Sequence, residues 1–140
     1  MSLKIAKAFV AAIRRNDHLT SALGADADGK GARIFPVARL DEDEKEDIVP
    51  YLIVMPNGVQ TEGSKDDYEQ VERATIGIMI CDETFEGLVD LADEVRSTLA
   101  DNLQECTDQP YSDYTFSAGP VQCDSSRPCY YQTLSYTITI

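Results

Sequence analysis

The chain closes on a strict alternation: Leu134, Tyr136, Ile138 and Ile140 fall on one side of an extended backbone, and Thr133, Ser135, Thr137 and Thr139 on the other. A period of two belongs to a β-strand with one covered face and is incompatible with a helix, whose apolar positions recur every three or four residues. The same alternation recurs from Val71 to Cys81, where Ala74, Ile76, Ile78 and Ile80 oppose Arg73, Thr75, Gly77 and Met79. A shorter version runs through Tyr114, Phe116 and Ala118. Sheet faces this apolar require a second layer to exclude water.

Helical spacing supplies that layer. Phe85, Leu88, Ala92, Val95, Leu99 and Leu103 step by three or four residues, with Glu86, Asp90, Asp93, Glu94 and Asp101 between them. The spacing predicts a long amphipathic helix over 84–103 that covers the sheet. Asp82, Glu83 and Thr84 all offer capping oxygens or negative charge at its positive end. Ser2 can cap an earlier helix reaching Arg15, with Ile5, Phe9, Ala12 and Ile13 on one face; a short turn of helix at 19–23 would stop at Gly24.

Between these helices lie two apolar runs, Arg33-Ile34-Phe35-Pro36 and Pro50-Tyr51-Leu52-Ile53-Val54-Met55-Pro56. Prolines, which cannot donate into a ladder, bound them, so they read as strand ends. Asn57-Gly58 and Glu62-Gly63-Ser64 carry turn chemistry, which predicts an exposed, mobile connection up to about Tyr68. Together these elements predict an α+β fold: a mainly antiparallel sheet of about five strands with two helices packed on one face. At 140 residues and 43% hydrophobic content, one domain over 1–140 is the expectation.

No apolar run approaches the ~20 residues that cross a bilayer, and Met1-Ser2-Leu3-Lys4 leads into an amphipathic segment, not a signal-peptide core. A soluble cytosolic product with no membrane partner is expected. Four cysteines, Cys81, Cys106, Cys123 and Cys129, form no C-x-x-C pair, and there is one histidine, which together disfavour a zinc site. Reduced, partly buried thiols are expected in that compartment; whether Cys123 and Cys129 pair across a turn is left open.

Charge is unevenly distributed. Residues 1–40 hold seven basic side chains against three acids, net +4, which leaves −17 for residues 41–140 of the total −13. The run Asp41-Glu42-Asp43-Glu44-Lys45-Glu46-Asp47 carries much of the excess. An acidic body argues against nucleic-acid binding, whose affinity comes largely from clustered Lys and Arg on phosphates. Unlike charge at the two ends of the sequence instead suggests a basic edge of one copy meeting an acidic edge of the next.

No motif converges on a reaction. Gly24-Ala25-Asp26-Ala27-Asp28-Gly29-Lys30 fits G-x-x-x-x-G-K, yet Gly31 replaces the required Ser or Thr, a helix precedes the loop, and two aspartates would repel phosphate. The same loop lacks the first and last carboxylates of a calcium hand. His18 has no nucleophile motif beside it and reads as a surface or capping residue. The acids from Asp41 to Asp47 look solvated, whereas carboxylate catalysis needs burial to separate two pKa values. Five tyrosines toward the end of the chain, Tyr111, Tyr114, Tyr130, Tyr131 and Tyr136, suit core and edge packing or an interface. The expectation is a non-enzyme without cofactor or metal.

The order of these pieces resembles the tail-terminator, or tail-completion, proteins of long-tailed bacteriophages and prophages. The likeness rests on the first helix through Arg15, the Arg33-Ile34-Phe35-Pro36 signature, the Pro50-Tyr51-Leu52-Ile53-Val54 strand after a polar insertion, the strand from Val71 to Cys81 leading directly into the 84–103 helix, and the closing strand from Tyr130. The resemblance implies a six-membered ring that caps the completed tail tube and faces the head connector. Its implied partners are copies of itself, the tail tube protein and the connector, first in the bacterial cytoplasm and then in the virion tail. The expected interface residues are Arg14, Arg15, Arg33, Asp41, Glu42, Asp43, Glu44, Asn57, Gly58, Lys65 and Tyr68. In this reading the acidic body lines or rims a channel that DNA passes without sticking, and the 57–68 connection orders against the tube. The competing reading is an acidic DNA-mimic inhibitor that occupies the groove of a DNA-binding protein.

Overall fold

Thr84 decides where the main helix begins. Its backbone is extended at φ −118° and ψ 153°, and its hydroxyl accepts the Gly87 N–H at 3.1 Å, satisfying one of the amides that a helix start leaves without a partner. In the computed structural model, whose described residues are 4–26, 30–36, 50–62, 71–103, 113–124 and 129–139, helix α3 then runs Phe85–Asn102. Two further helices precede it, α1 (Lys4–Arg14) and α2 (Asp17–Ala22). The strands are β1 (Ile34–Pro36), β2 (Tyr51–Glu62), β3 (Val71–Asp82), β4 (Asp113–Ala118), β5 (Gln122–Asp124) and β6 (Cys129–Thr139).

The sheet order is β1-β2-β3-β6-β4, with β5 also paired to β6. All pairings are antiparallel except β1 with β2, which run parallel with Ile34 opposite Leu52. The architecture is therefore α+β with a mixed sheet, as the alternating strands and helical spacing predict, carrying one more strand than expected and, as α2, the short helix expected near 19–23. Both proline-bounded runs are strands, and they are neighbours. Register places Leu52, Val54, Ile76, Ile78, Ile80, Leu134, Tyr136 and Ile138 on the same face, and all of them are buried. Against that face pack Ile5, Phe9 and Ile13 of α1, Leu19 of α2, and Leu88, Val95 and Leu99 of α3, forming one hydrophobic cluster. Each such side chain fully withdrawn from water contributes ~1.5–3 kcal/mol of transfer free energy.

Two expectations are corrected here. Asn57-Gly58 is not a turn: β2 continues through it to Glu62, and the pairing skips from Pro56↔Ile76 to Gly58↔Thr75, leaving Asn57 as the extra residue of a β-bulge. Gly58 takes φ 131°, a conformation that side chains disfavour. Among the described residues β1 pairs with β2 only at 52–54, so Pro56, which has no N–H to donate, lies beyond that ladder. The second correction concerns sulfur chemistry. Cys81 and Cys129 are joined in a disulfide, with Cα atoms 6.5 Å apart. Cys81 lies opposite Tyr131, so Cys129, two residues along, projects from the same side of the sheet. Cys123 lies opposite Tyr130 and projects from the other side; it remains a free, exposed thiol. Cys106 falls outside the described residues.

Candidate functional site

The corner where α1, α2 and α3 meet is built around Asn16. Its Oδ1 accepts from the backbone N–H of His18 and Leu19 at 3.0 and 3.2 Å, which caps α2. Its Nδ2 donates to Thr98 Oγ1 at 2.8 Å and to Glu94 Oε1 at 3.0 Å, which ties the α1–α2 junction to α3. One side chain thus starts a helix and fixes its position. His18, in the first turn of α2, is exposed, with Nδ1 4.0 Å from Glu94 Oε1. The sequence offered this histidine as a surface or capping residue; the surface placement holds, and the cap is Asn16.

Beside this corner an open groove of about 510 Å³ separates α2 from α3. Leu19, Ala22, Leu91 and Pro50 wall it, and Asp82, Asp90, Asp93 and Glu94 stand around it. Among the described residues, no group of His, Cys, Asp and Glu is placed to hold a metal ion. The groove presents carboxylates and one exposed imidazole, and no nucleophile hydrogen-bonded to a base is given by its geometry. Its chemistry is that of an acidic surface.

A second corner holds the chain's end of α2 to the sheet. Arg33 donates from its backbone N–H to Leu23 O at 3.0 Å and from Nε to Pro50 O at 2.8 Å, while its own carbonyl accepts from Leu52 N–H at 3.0 Å. Gly24, at φ 88°, leaves the space its guanidinium fills: a Cβ there would lie 3.0 Å from Nη2 and closer still to the rest of the group. In the loop that follows, Asp26 accepts Lys30 N–H at Oδ1, 2.9 Å, and donates its own N–H to Lys30 O at 2.7 Å. The carboxylate therefore occupies the loop amide that a phosphate would need.

Five of the residues expected at an interface are among the described residues. Arg14 is exposed in the last turn of α1, and Arg15 is exposed immediately after it. Arg33 is half-buried and bonded within its own chain. Asn57 and Gly58 are exposed at the β2 bulge. Asp41, Glu42, Asp43, Glu44, Lys65 and Tyr68 lie outside the described residues. What sequence reasoning missed is the exposure of Phe85, 48% accessible although it continues the apolar stripe of α3. The signal available was its position as the first residue of the helix, directly after the cap. Asn16 was likewise missed, although an Asn directly before a short apolar-periodic segment is a cap signal.

No protein-family model matches this chain, and no curated protein matches it in sequence. Among solved structures, the chain is similar to one from a structure described as the virion of a native gene transfer agent (GTA) particle. The likeness has a TM-score of 0.59 at 10% identity, and it covers 96% of this chain and 92% of that one. At that identity what is shared is the fold.

Proposed function

We propose that this chain is a structural protein of a phage-like virion, and within that class a tail-terminator or tail-completion protein that closes the tail tube as a homo-oligomeric ring and joins it to the head connector. The observation that carries the reading is the two-way coverage of the virion chain, 96% and 92%, which matches whole fold to whole fold instead of a shared fragment. The independent resemblance of the strand and helix order to tail terminators supports the finer assignment. In this reading the chain acts by binding alone, and it passes from the bacterial cytoplasm into the virion tail.

Charge supports the same role. A ring threaded by DNA must not hold phosphates, and a subunit of net charge −13 repels them at close range. A ring also needs a heterologous contact, one patch meeting a different patch on the next copy. The six-fold count comes from the family resemblance.

Tube growth tests the proposal. Purified tail tube protein is polymerised with and without this chain, and tube lengths are measured. Shortened tubes bearing this chain at one end support the terminator role. Tubes that grow unchanged and carry no bound chain overturn it, and salt-sensitive one-to-one binding to a basic DNA-binding protein would favour the DNA-mimic reading instead.

A further inference from the structure

The open groove between α2 and α3 is more than a solvated acidic surface. Its walls are apolar: Leu19 and Leu91, both buried, lie at the floor, and Ala22 and Pro50, more accessible, complete them. Asp82, Asp90, Asp93 and Glu94 edge it, and among the described residues no lysine or arginine does. The separation of its two helices is fixed, because Asn16 caps α2 and donates to Glu94 Oε1 and Thr98 Oγ1 on α3. A pre-formed space of about 510 Å³ falls in the range of ligand sites.

Charge and shape together narrow the occupant. Four carboxylates without a cation among them complement positive charge. Among the described residues they are not placed to close on a metal ion, so the charge has to come on an organic group that also covers the apolar floor. Gly87 and Ser97 mark the extent of the groove along α3, about 15 Å of helix, which is the length of four or five residues of extended chain. In such a chain side chains alternate: an aliphatic residue turned to the floor leaves its two neighbours turned outward, and the long stems of Lys or Arg reach back from there to the rim carboxylates. A second copy does not offer this segment. Cations of this chain fall within four positions of one another at Lys4 and Lys7, Arg14 and Arg15, and Lys30 and Arg33. Ile5, Ala6 and Ile13, beside the first two pairs, are buried in the core, and Arg33 donates its Nε to Pro50 O. We infer that the α2–α3 groove receives a short extended segment of a different protein, an aliphatic residue flanked by Lys or Arg. A net charge of −13 steers such a segment toward it. The inference goes beyond the terminator reading and does not depend on it.

Synthetic peptides test it. The probe is the end-blocked peptide Ser-Arg-Leu-Lys-Ser, titrated into the full chain and followed by the protein's amide NMR signals. Saturable shifts confined to 17–22 and 87–97, weakened by added salt, are expected. Putting Ser in place of the peptide's Leu should weaken binding at least about tenfold, because the floor contact is lost. On the protein side, Asp90→Asn with Asp93→Asn removes two exposed rim charges and should weaken binding at least about tenfold. Ala22→Trp, also at an exposed position, fills the groove without altering charge and should abolish binding. Circular dichroism confirms that each variant folds. Absence of binding by the wild type overturns the inference. So does binding that is indifferent to the peptide's Leu or to Ala22→Trp, which would be charge attraction alone, and so do shifts centred away from the groove. Tube capping is a separate readout: a groove that takes no peptide leaves the ring reading standing, and bare tube ends leave the groove assignment standing.

Discussion

Asn16 Nδ2 lies 2.8 Å from Thr98 Oγ1, so the residue that caps α2 also holds α3. The Thr98 hydroxyl donates a hydrogen bond to Glu94 O at 2.8 Å, a bond within α3 that leaves its oxygen able to accept from Asn16. Asn16→Ala removes a cap, worth about 1 kcal/mol, and a part-buried hydrogen bond worth about as much again. Equilibrium denaturation should show a loss of roughly 2 kcal/mol. Asn16→Asp keeps the capping oxygen but loses the donor to Thr98 and Glu94, so it should fall between the wild type and Asn16→Ala.

Tyr136 sits 2% exposed between Phe9 and Phe116, at centroid distances of 5.5 and 5.1 Å. Among the described residues, its hydroxyl is the one buried side-chain oxygen without a hydrogen-bond partner. Burial pushes its phenol from 10.0 up to about 12, against the lowering influence of Arg96, with Tyr114 adding to the rise. The folded chain therefore keeps the proton where the unfolded chain has lost it. Below pH 10 this group leaves stability independent of pH; from there to about 12 stability falls as pH rises. Tyr136→Phe removes the unsatisfied oxygen, so at pH 7 it should be neutral or stabilising by up to about 1 kcal/mol, and its unfolding free energy should decline less steeply above pH 10.

The disulfide between Cys81 and Cys129 closes a segment of 48 residues that includes all of α3. In the chain-entropy description a loop of that length restricts the unfolded state by ~4 kcal/mol. Reduction should therefore lower the unfolding free energy by roughly 2–4 kcal/mol, measured by denaturant titration with and without reductant. Mass spectrometry of the non-reduced protein should identify the 81–129 linkage and an alkylatable Cys123. A linkage through Cys123 would contradict the strand register.

Gly24 and Arg33 act as a pair. Gly24→Ala places a methyl where the Arg33 guanidinium lies and forces a left-handed φ on alanine, so a loss of about 1–2 kcal/mol is expected. In Arg33→Ala the methyl meets no guanidinium, and the double variant should lose less than the sum of the two single losses. Additive losses would show that the contact carries no coupling.

Period-two alternation made β3 and β6 legible because each has one covered face, and the three-to-four spacing of α3 with Thr84 before it marked the main helix correctly. β2 was cut short in the sequence reading because Asn57-Gly58 is chemically a turn. Only the ladder to β3 reveals that the same two residues form a bulge. The disulfide was illegible for a related reason: sequence proximity favours Cys123 with Cys129, whereas the sheet brings Cys81, 48 positions away from Cys129, to the same side. The exposure of Phe85 could not be read from periodicity, since a helical stripe shows which residues share a face and not where the opposing layer ends. All four acidic interface residues expected from sequence lie at 41–44, outside the described residues, so the described surfaces bear on the arginines and the β2 bulge of that expectation.

In the proposed role, copies of this chain close into a ring on a tail tube. Averaged electron micrographs of tube ends, recorded after incubation with the purified chain, test it most directly. The expected result is a closed, rotationally symmetric cap of repeated subunits at one end of each tube, with neighbouring copies touching flank to flank. Bare tube ends, or single copies scattered along the tube wall, would contradict it.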